Sequence, residues 1–365
     1  MSLSLSQWLE LLESRHSKSI DLGLERSLEV WQRMGSPRPA SRIITVAGTN
    51  GKGSTVAYLC SMLQGLGRSF GSYTTPHLLH YNERIQINGV CADDRQLVSA
   101  FEKVEAARER TSLTYFEFGT LAAFSIMAEK TLDFAVLEVG LGGRLDAVNI
   151  LDADCTVITP VGLDHQEYLG VDRESIGREK AGIIRRHIPL VCGEPDPPDS
   201  VLAVAERAQA PIFRLGREFD ARQLGQSVCF KKGEISWTLP VPLMAGRHQV
   251  NNMATAVAAL LELEPDFTTE RGSLVSSLES VTVNGRMQQL SRHPQVLIDV
   301  GHNPLAASVI AQAITASLQE NPGRRCRCVI GMLGDKDATG VAKILGPVIS
   351  NWCCAGLQGC LLYTS

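Results

Sequence analysis

The chain has 365 residues, and at roughly 150 residues per domain it is expected to form two domains, which excludes a single small binding module. Hydrophobic residues make up 44% and charged residues 20%, a balance that excludes a disordered chain and leaves apolar material for a core in each domain. Lys and Arg number 35 against 39 Asp and Glu; the net charge of −4 offers no broad attraction for nucleic acid or an anionic membrane, so any phosphate chemistry must come from a local site.

The N-terminal SLSQWLELLESRHSKS has no signal-peptide pattern, because Glu10 and Glu13 interrupt its apolar residues. The longest apolar stretch, Leu121 to Ala128, falls far short of the roughly 18 residues a spanning helix needs, so a soluble cytoplasmic protein is expected. From Arg42 strand-like runs alternate with helical patterns: RIITVA, a helix from about Gly53, DFAVLEV and DCTVIT. That alternation predicts an α/β fold with a mainly parallel sheet covered by helices. A Pro-rich stretch, GEPDPPDS, and a more polar segment ending in PLMAGRHQ follow. A second series begins near Gln295 with QVLIDV, a helix from Leu305, CRCVIGM and a helix after Thr339. The turn-prone Asn-Gly of VTVNGR places the boundary at about 283 to 286, giving domains of residues 1–283 and 284–365. Ten cysteines are scattered early (Cys60, Cys91, Cys155, Cys192, Cys229) and clustered late (Cys326, Cys328, Cys353, Cys354, Cys360). With no CxxC pair among them, reduced thiols are expected rather than a zinc site.

In ITVAGTNGKGSTVAYL a β-branched strand feeds Gly48, Thr49, Asn50, Gly51, Lys52, Gly53 and Ser54, and an apolar helix follows. Glycines let backbone approach phosphate oxygens, the helix N-terminus favours an anion, Lys52 adds a point charge, and the Ser54 hydroxyl suits Mg²⁺. In physical terms this is a P-loop. Its spacing departs from G-x₄-G-K-[ST], since Val46 stands where the first glycine would be and Gly53 separates Lys52 from Ser54. Downstream, Glu138 ends the buried strand of DFAVLEV, where open α/β sheets gather their ligands, and together with Ser54 and phosphate oxygens it would suffice for a hard cation. It reads equally as a strand-end surface charge. After TVITPVG come Asp164 and His165, then RESIGREKAGII with Lys180. Taken alone, His165 reads more readily as a structural hydrogen-bonding residue than as a ligand, and Lys180 more readily as an ordinary helix-surface lysine than as a functional group.

GTNGKGS, TTPHLLHYNERIQING, TYFEFGTLAAF, LEVGLGGRLDAVN, LDHQEYLG, RESIGREKAGI, AGRHQVNN, NGRMQ, DVGHNP and GMLGDKD follow one another in this order over nearly the whole chain. In this the sequence resembles the folylpolyglutamate synthases and dihydrofolate synthases, within the Mur-type amide ligases. The resemblance implies a P-loop ATPase domain followed by a smaller Rossmann-like domain, and ATP- and Mg²⁺-dependent ligation of L-glutamate onto dihydropteroate and reduced folates through an acyl phosphate. It implies that Lys52 contacts the β/γ-phosphates, that Ser54 and Glu138 hold one Mg²⁺, and that Glu138, His165 and Lys180 surround a second, with Lys180 carbamylated. Asn252, Arg286, Asp299 and His302 resemble nucleotide contacts: Asn252 near the base, Arg286 as a phosphate clamp, all but Asn252 reaching over from the hinge and second domain. Phe116, Asp146 and Ala147 resemble pterin-site positions, and Thr75, Pro76 and His77 the loop that closes on the folate. Neither nucleic acid nor membrane is an expected partner, and the family expectation is a monomer.

Two other readings compete. A peptidoglycan-precursor ligase would keep the fold but lacks the pairing of YFEFGTL with RLDAVN. A P-loop GTPase would want a base-reading NKxD motif and switch segments, and neither is visible. Where the family continues beyond NWCCAGLQG with further strand and helix, this sequence reads CLLYTS. The second domain is therefore expected to be incomplete, and loosely folded from about residue 284.

Overall fold

The computed structural model describes residues 3–16 and 20–356; Cys360 and the closing CLLYTS lie outside them. In chain order the strands are β1 (Arg42–Ala47), β2 (Phe70–Tyr73), β3 (Ile85–Ile87), β4 (Val90–Cys91), β5 (Phe134–Glu138), β6 (Cys155–Ile158), β7 (Leu190–Cys192) and β8 (Ile212–Arg214), then β9 (Phe219–Leu224), β10 (Ser227–Lys232) and β11 (Ile235–Pro240), and last β12 (Gln288–Arg292), β13 (Gln295–Ile298), β14 (Arg327–Ile330) and β15 (Asn351–Cys354). The helices are α1 (Leu5–Arg15), α2 (Glu25–Arg33), α3 (Lys52–Gly65), α4 (Asp94–Arg108), α5 (Tyr115–Ala128), α6 (Gln166–Leu169), α7 (Arg173–Lys180), α8 (Asp199–Arg207), α9 (His248–Leu263), α10 (Arg271–Ser277), α11 (Pro304–Glu320) and α12 (Ala338–Leu345), with short 3₁₀ turns between.

The first eight strands form one sheet in the order β4-β3-β2-β5-β1-β6-β7-β8. Pairing is parallel from β2 through β8, and β3 and β4 are antiparallel at one edge. A parallel sheet has to be covered on both faces, so its strands are apolar almost throughout. In β1 every residue after Arg42 is buried. Successive side chains leave opposite faces: Ile43 enters a cluster with Trp8, Trp31, Phe101, Phe118 and Phe124, whereas Ile44 and Val46 enter one with Tyr58, Met62 and the α9 residues Val257 and Leu260. Helices α1, α2, α4 and α5 cover the first face, and α3 and α9 cover the second.

The polar segment between the two predicted series contains a three-stranded antiparallel sheet, β11-β10-β9, that the sequence reading passed over. Phe219, Val228, Phe230, Trp237 and Leu239 are buried in it, the last four on β10 and β11. Their alternation with polar neighbours in SVCFKKGEISWTLP is the period-2 signal of a half-buried strand.

Beyond residue 287 the packing is sparser. An antiparallel pair, β12 and β13, and a parallel pair, β14 and β15, form separate two-stranded sheets. Helices α11 and α12 share a small buried cluster of Ala307, Val341, Leu345 and Ile349. A cleft of about 530 Å³ lies between the pairs, lined by Ile298, Ile310, Ile314, Ile330 and Leu345. Val329 is 77% exposed.

Candidate active site

The loop from β1 to α3 sits at the carboxyl end of the parallel strands and is closely fitted. Gly48 has φ +148°, and a Cβ there would meet Thr159 Oγ1 at 1.8 Å; Gly51 has φ +94°, and a Cβ would meet Asn252 Oδ1 at 2.6 Å. Only glycine fits either position. No side chain caps the start of α3, so its first N–H groups are left for an anion. Lys52 Nζ donates to the carbonyls of Gly48 (3.2 Å) and Thr49 (3.3 Å). Ser54 is buried, and its Oγ accepts from Gln249 Nε2 at 3.3 Å; Gln249 Oε1 in turn accepts from Asn252 Nδ2 at 3.2 Å. The start of α9 thereby braces the loop.

Lys180 is no surface lysine. It is 4% exposed, and its Nζ donates to Gly48 O at 2.9 Å, the carbonyl that Lys52 also contacts. Burial, and then the charge of Lys52, push its amine down to about 7. Burial also lowers Lys52, against the pull of Glu138. Glu138 is 4% exposed and accepts from Thr75 N at 3.3 Å. Burial raises its carboxyl above the usual range despite Lys52 nearby. Glu138 Oε2 lies 3.5 Å from where a Cβ on Gly53 would stand, next to Ser54 in the chain, and a buried carboxylate and a buried hydroxyl are oxygen donors of the kind a hard cation such as Mg²⁺ takes.

His165 is drawn into a second cluster. Asp164, His165 and His302 offer ligand atoms within 4.8 Å of one another. Lys336 Nζ lies 3.1 Å from Asp164 Oδ1 and 3.1 Å from His165 Nε2, and His302 Nε2 lies 3.3 Å from Asp164 Oδ2. Burial opposes the Asp164 charge, but the hydrogen bond from His302 and the charges of His165 and Lys336 outweigh it and hold the carboxyl far below its ordinary range. Burial brings His165 down to about 4, with Asp164 pulling the other way.

The other residues singled out in the sequence fall around these two clusters. Arg286 stands where its charge acts on Lys52 and Glu138. Asp299 spends both oxygens on the hinge, accepting from Met287 N (2.8 Å) and Gly301 N (2.7 Å). Thr75 and Pro76 are joined by a cis peptide bond. His77 Nδ1 accepts from Arg84 Nε at 2.8 Å, and burial followed by the Arg84 charge lowers the imidazole to about 4. Phe116, Asp146 and Ala147 line one small pocket with Asp21, Leu22 and Gly23. Asp146 accepts from Leu141 N (2.8 Å) and Val148 N (2.9 Å), and its burial lifts the carboxyl to about 6.

Sequence reasoning named Asp164 without giving it a role and passed over Gln249, Asn303 and Lys336, although LDHQEYLG, AGRHQVNN, DVGHNP and GMLGDKD were in view. It also passed over Arg84, a buried guanidinium stacked 5.3 Å from the Tyr81 ring and 5.7 Å from that of Tyr115. The signal available for Asp164 was its place, with His165, directly after a buried strand; Lys336, 171 residues further on, had none.

A P-loop at the end of a parallel sheet, with a buried strand-end carboxylate and a second domain reaching over it, defines a nucleotide-dependent ligase of the Mur type. The Mur ligase middle domain matches residues 46–260, and the Mur ligase glutamate ligase domain matches residues 285–359. The dihydrofolate synthase/folylpolyglutamate synthase of Escherichia coli (strain K12) is 43% identical over 97% of this chain and 82% of its own length. That of Haemophilus influenzae is 38% identical over 97% of this chain and 83% of its length. The structure of E. coli FolC in complex with DHPP and ADP superposes with a TM-score of 0.92 at 41% identity, covering 98% of this chain and 84% of that one. A bifunctional folylpolyglutamate synthase/dihydrofolate synthase with Mn, AMPPNP and L-glutamate bound gives a TM-score of 0.88 at 41% identity, over 97% of this chain and 84% of that one. The chain belongs to the dihydrofolate synthase/folylpolyglutamate synthase family of Mur ligases.

Proposed function

We propose that the protein ligates L-glutamate to dihydropteroate, giving dihydrofolate, and to reduced folates, extending their glutamate chains, at the expense of ATP. The acceptor carboxylate attacks the γ-phosphorus, ADP leaves, and the glutamate amine displaces phosphate from the acyl phosphate. Neither partner reacts unaided at neutral pH, so the chain's contribution is positioning and charge neutralisation. Lys52 and the N–H groups at the start of α3 hold the β/γ-phosphates, Arg286 clamps them from the hinge, and Asn252 lies towards the base. Ser54 and Glu138 would hold one Mg²⁺, and Glu138, His165 and Lys180 a second; the ions, when bound, neutralise the charge that develops on the transferred phosphoryl group. Asp299 and His302 approach from the second domain, residues 284–365. Phe116, Asp146 and Ala147 receive the pterin, and Thr75, Pro76 and His77 border the acceptor.

The observation that carries this reading is the meeting of Lys180 and Lys52 on one buried carbonyl, Gly48 O. An amine held near 7 is about half uncharged at neutral pH and in that form open to carbon dioxide, and the carbamate so formed, with release of a proton, replaces a cation with an anionic oxygen ligand. Among the described residues no helix is long and apolar enough to cross a membrane. We read the protein as a cytoplasmic monomer. Product mass is the test. Incubation with ATP, Mg²⁺ and glutamate should add one glutamate to dihydropteroate and to tetrahydrofolate; glutamate gained by neither, or by a nucleotide-sugar peptide instead, would overturn the reading.

A further inference from the structure

Asn303 stands between the two domains and is satisfied at every position of its amide. It is 3% exposed. Its Oδ1 accepts from Ala306 N at 2.9 Å and so caps α11. Its Nδ2 donates to Asp164 Oδ2 at 3.0 Å and to Asn50 Oδ1 at 3.0 Å, and Asn50 Nδ2 donates back to Asn303 Oδ1 at 3.0 Å. Asp164 can only accept and Ala306 N can only donate, so the orientation of the Asn303 amide is settled from both ends; against it the Asn50 amide bonds Asn303, while turned over it would instead bond Thr49 O and Ala306 N, each at 3.2 Å.

The groups it touches belong to one stitched unit. Thr49 N donates to Pro160 O at 3.0 Å, Thr49 Oγ1 donates to Gly162 O at 3.0 Å, and Gly162 N donates to Thr49 Oγ1 at 3.0 Å. The phosphate loop and the Asp164 loop therefore move together. The first turn of α11 lies directly on them: a Cβ at Gly162 would come within 3.0 Å of Leu305 Cδ2. One side chain thus joins the start of a second-domain helix to both halves of the nucleotide-side machinery.

We infer that Asn303 is a positioning residue that couples the seating of the second domain to the phosphate loop through Asn50 and Asp164. The inference rests on the ligase reading for its consequence: when the junction is intact, groups of the second domain are held over the phosphate loop during amide formation, and when it is broken they are not. Nucleotide can still bind, because Lys52 bonds Gly48 O and Thr49 O and the N–H groups at the start of α3 make no hydrogen bond to Asn303.

Asn303→Asp separates this role from simple helix capping. Asp caps helices as well as Asn does, so α11 stays capped, but both N–H donors are gone and a carboxylate faces Asp164. Asn303→Ser likewise keeps a cap and shortens the reach. The coupling role expects Asn303→Asp to lower kcat at least about tenfold, and more than Asn303→Ser does, with the affinity for a fluorescent ATP analogue within about threefold of wild type. It also expects faster amide hydrogen exchange at residues 49–51 and 161–165 in the full-length Asn303→Asp protein, with α11 protected as before. A double-mutant cycle of Asn50→Ala and Asn303→Ala should be non-additive in that exchange rate. Hydrogen exchange decides the junction whether or not glutamate is ligated. Wild-type exchange at residues 49–51 and 161–165 in Asn303→Asp, or an additive cycle, would overturn it.

Discussion

Strand β1 and strand β14 are both short, β-branched and followed by a loop that carries site residues, yet they sit in very different surroundings. β1 is the fifth of eight strands, paired on both sides and covered on both faces, and all but its first residue are buried. Among the described residues β14 pairs on one side only, with β15, and alternates exposed and half-buried residues. The loop after β1 is closely packed, with glycines where a methyl group would collide. The loop after β14 delivers Lys336 to Asp164 across the domain junction as a single long side chain. A well-packed frame can hold phosphate-binding backbone in place, while a lightly packed one can bring charges over it and withdraw them.

The largest expected effect tests the frame's chemistry. Lys180→Ala should lower turnover about a thousandfold or more while the affinity for a fluorescent ATP analogue changes only a few-fold, since Lys52 and the loop N–H groups remain. ADP release with dihydropteroate and glutamate present measures the first quantity, and turnover retained in the variant would remove Lys180 from the site. Packing is tested next. Phe124→Ala opens a hole in a fully buried cluster and should cost about 3–5 kcal/mol in urea unfolding followed by fluorescence.

Asp146 sharpens the comparison within the first domain. Its buried carboxyl, raised to about 6, is ionised above that pH and neutral below it. With Asp146 receiving the pterin as proposed, its ionised form would accept from the ring amino group, so the affinity for dihydropteroate should fall about tenfold per pH unit as pH drops below 6 and level off above it. Asn in its place should flatten the profile; an unchanged pH dependence in Asp146→Asn would separate this carboxylate from acceptor binding. The smallest effect belongs to the second domain: Val329→Ala, at an exposed position, should change stability by about 0.5 kcal/mol or less in the same urea experiment.

The parallel sheet was legible because apolar β-branched runs alternating with helical patterns admit few other architectures, and the P-loop because glycine, lysine and hydroxyl fall together between a strand and a helix. The antiparallel sheet of β9 to β11 carried a period-2 signal in Val228, Phe230, Trp237 and Leu239, and was missed because the polar composition of the segment was read as loop. Lys180 shows a different limit. Sequence places it at the end of a helix among charged neighbours, where a lysine is ordinarily exposed, and only the fold turns it inward to Gly48. Asp164 meets Lys336 and Asn303 across more than a hundred residues, and pairings of that kind leave no local pattern.

Limited proteolysis with mass readout, combined with binding of a fluorescent ATP analogue, tests the contrast between the two regions most directly. Cleavage should begin between about residue 284 and residue 354 and leave a stable fragment ending near residue 285 that still binds the nucleotide. Equal resistance through residue 354, or a fragment that has lost nucleotide binding, would contradict the division of the molecule into a rigid phosphate-binding frame and a lightly packed closing domain.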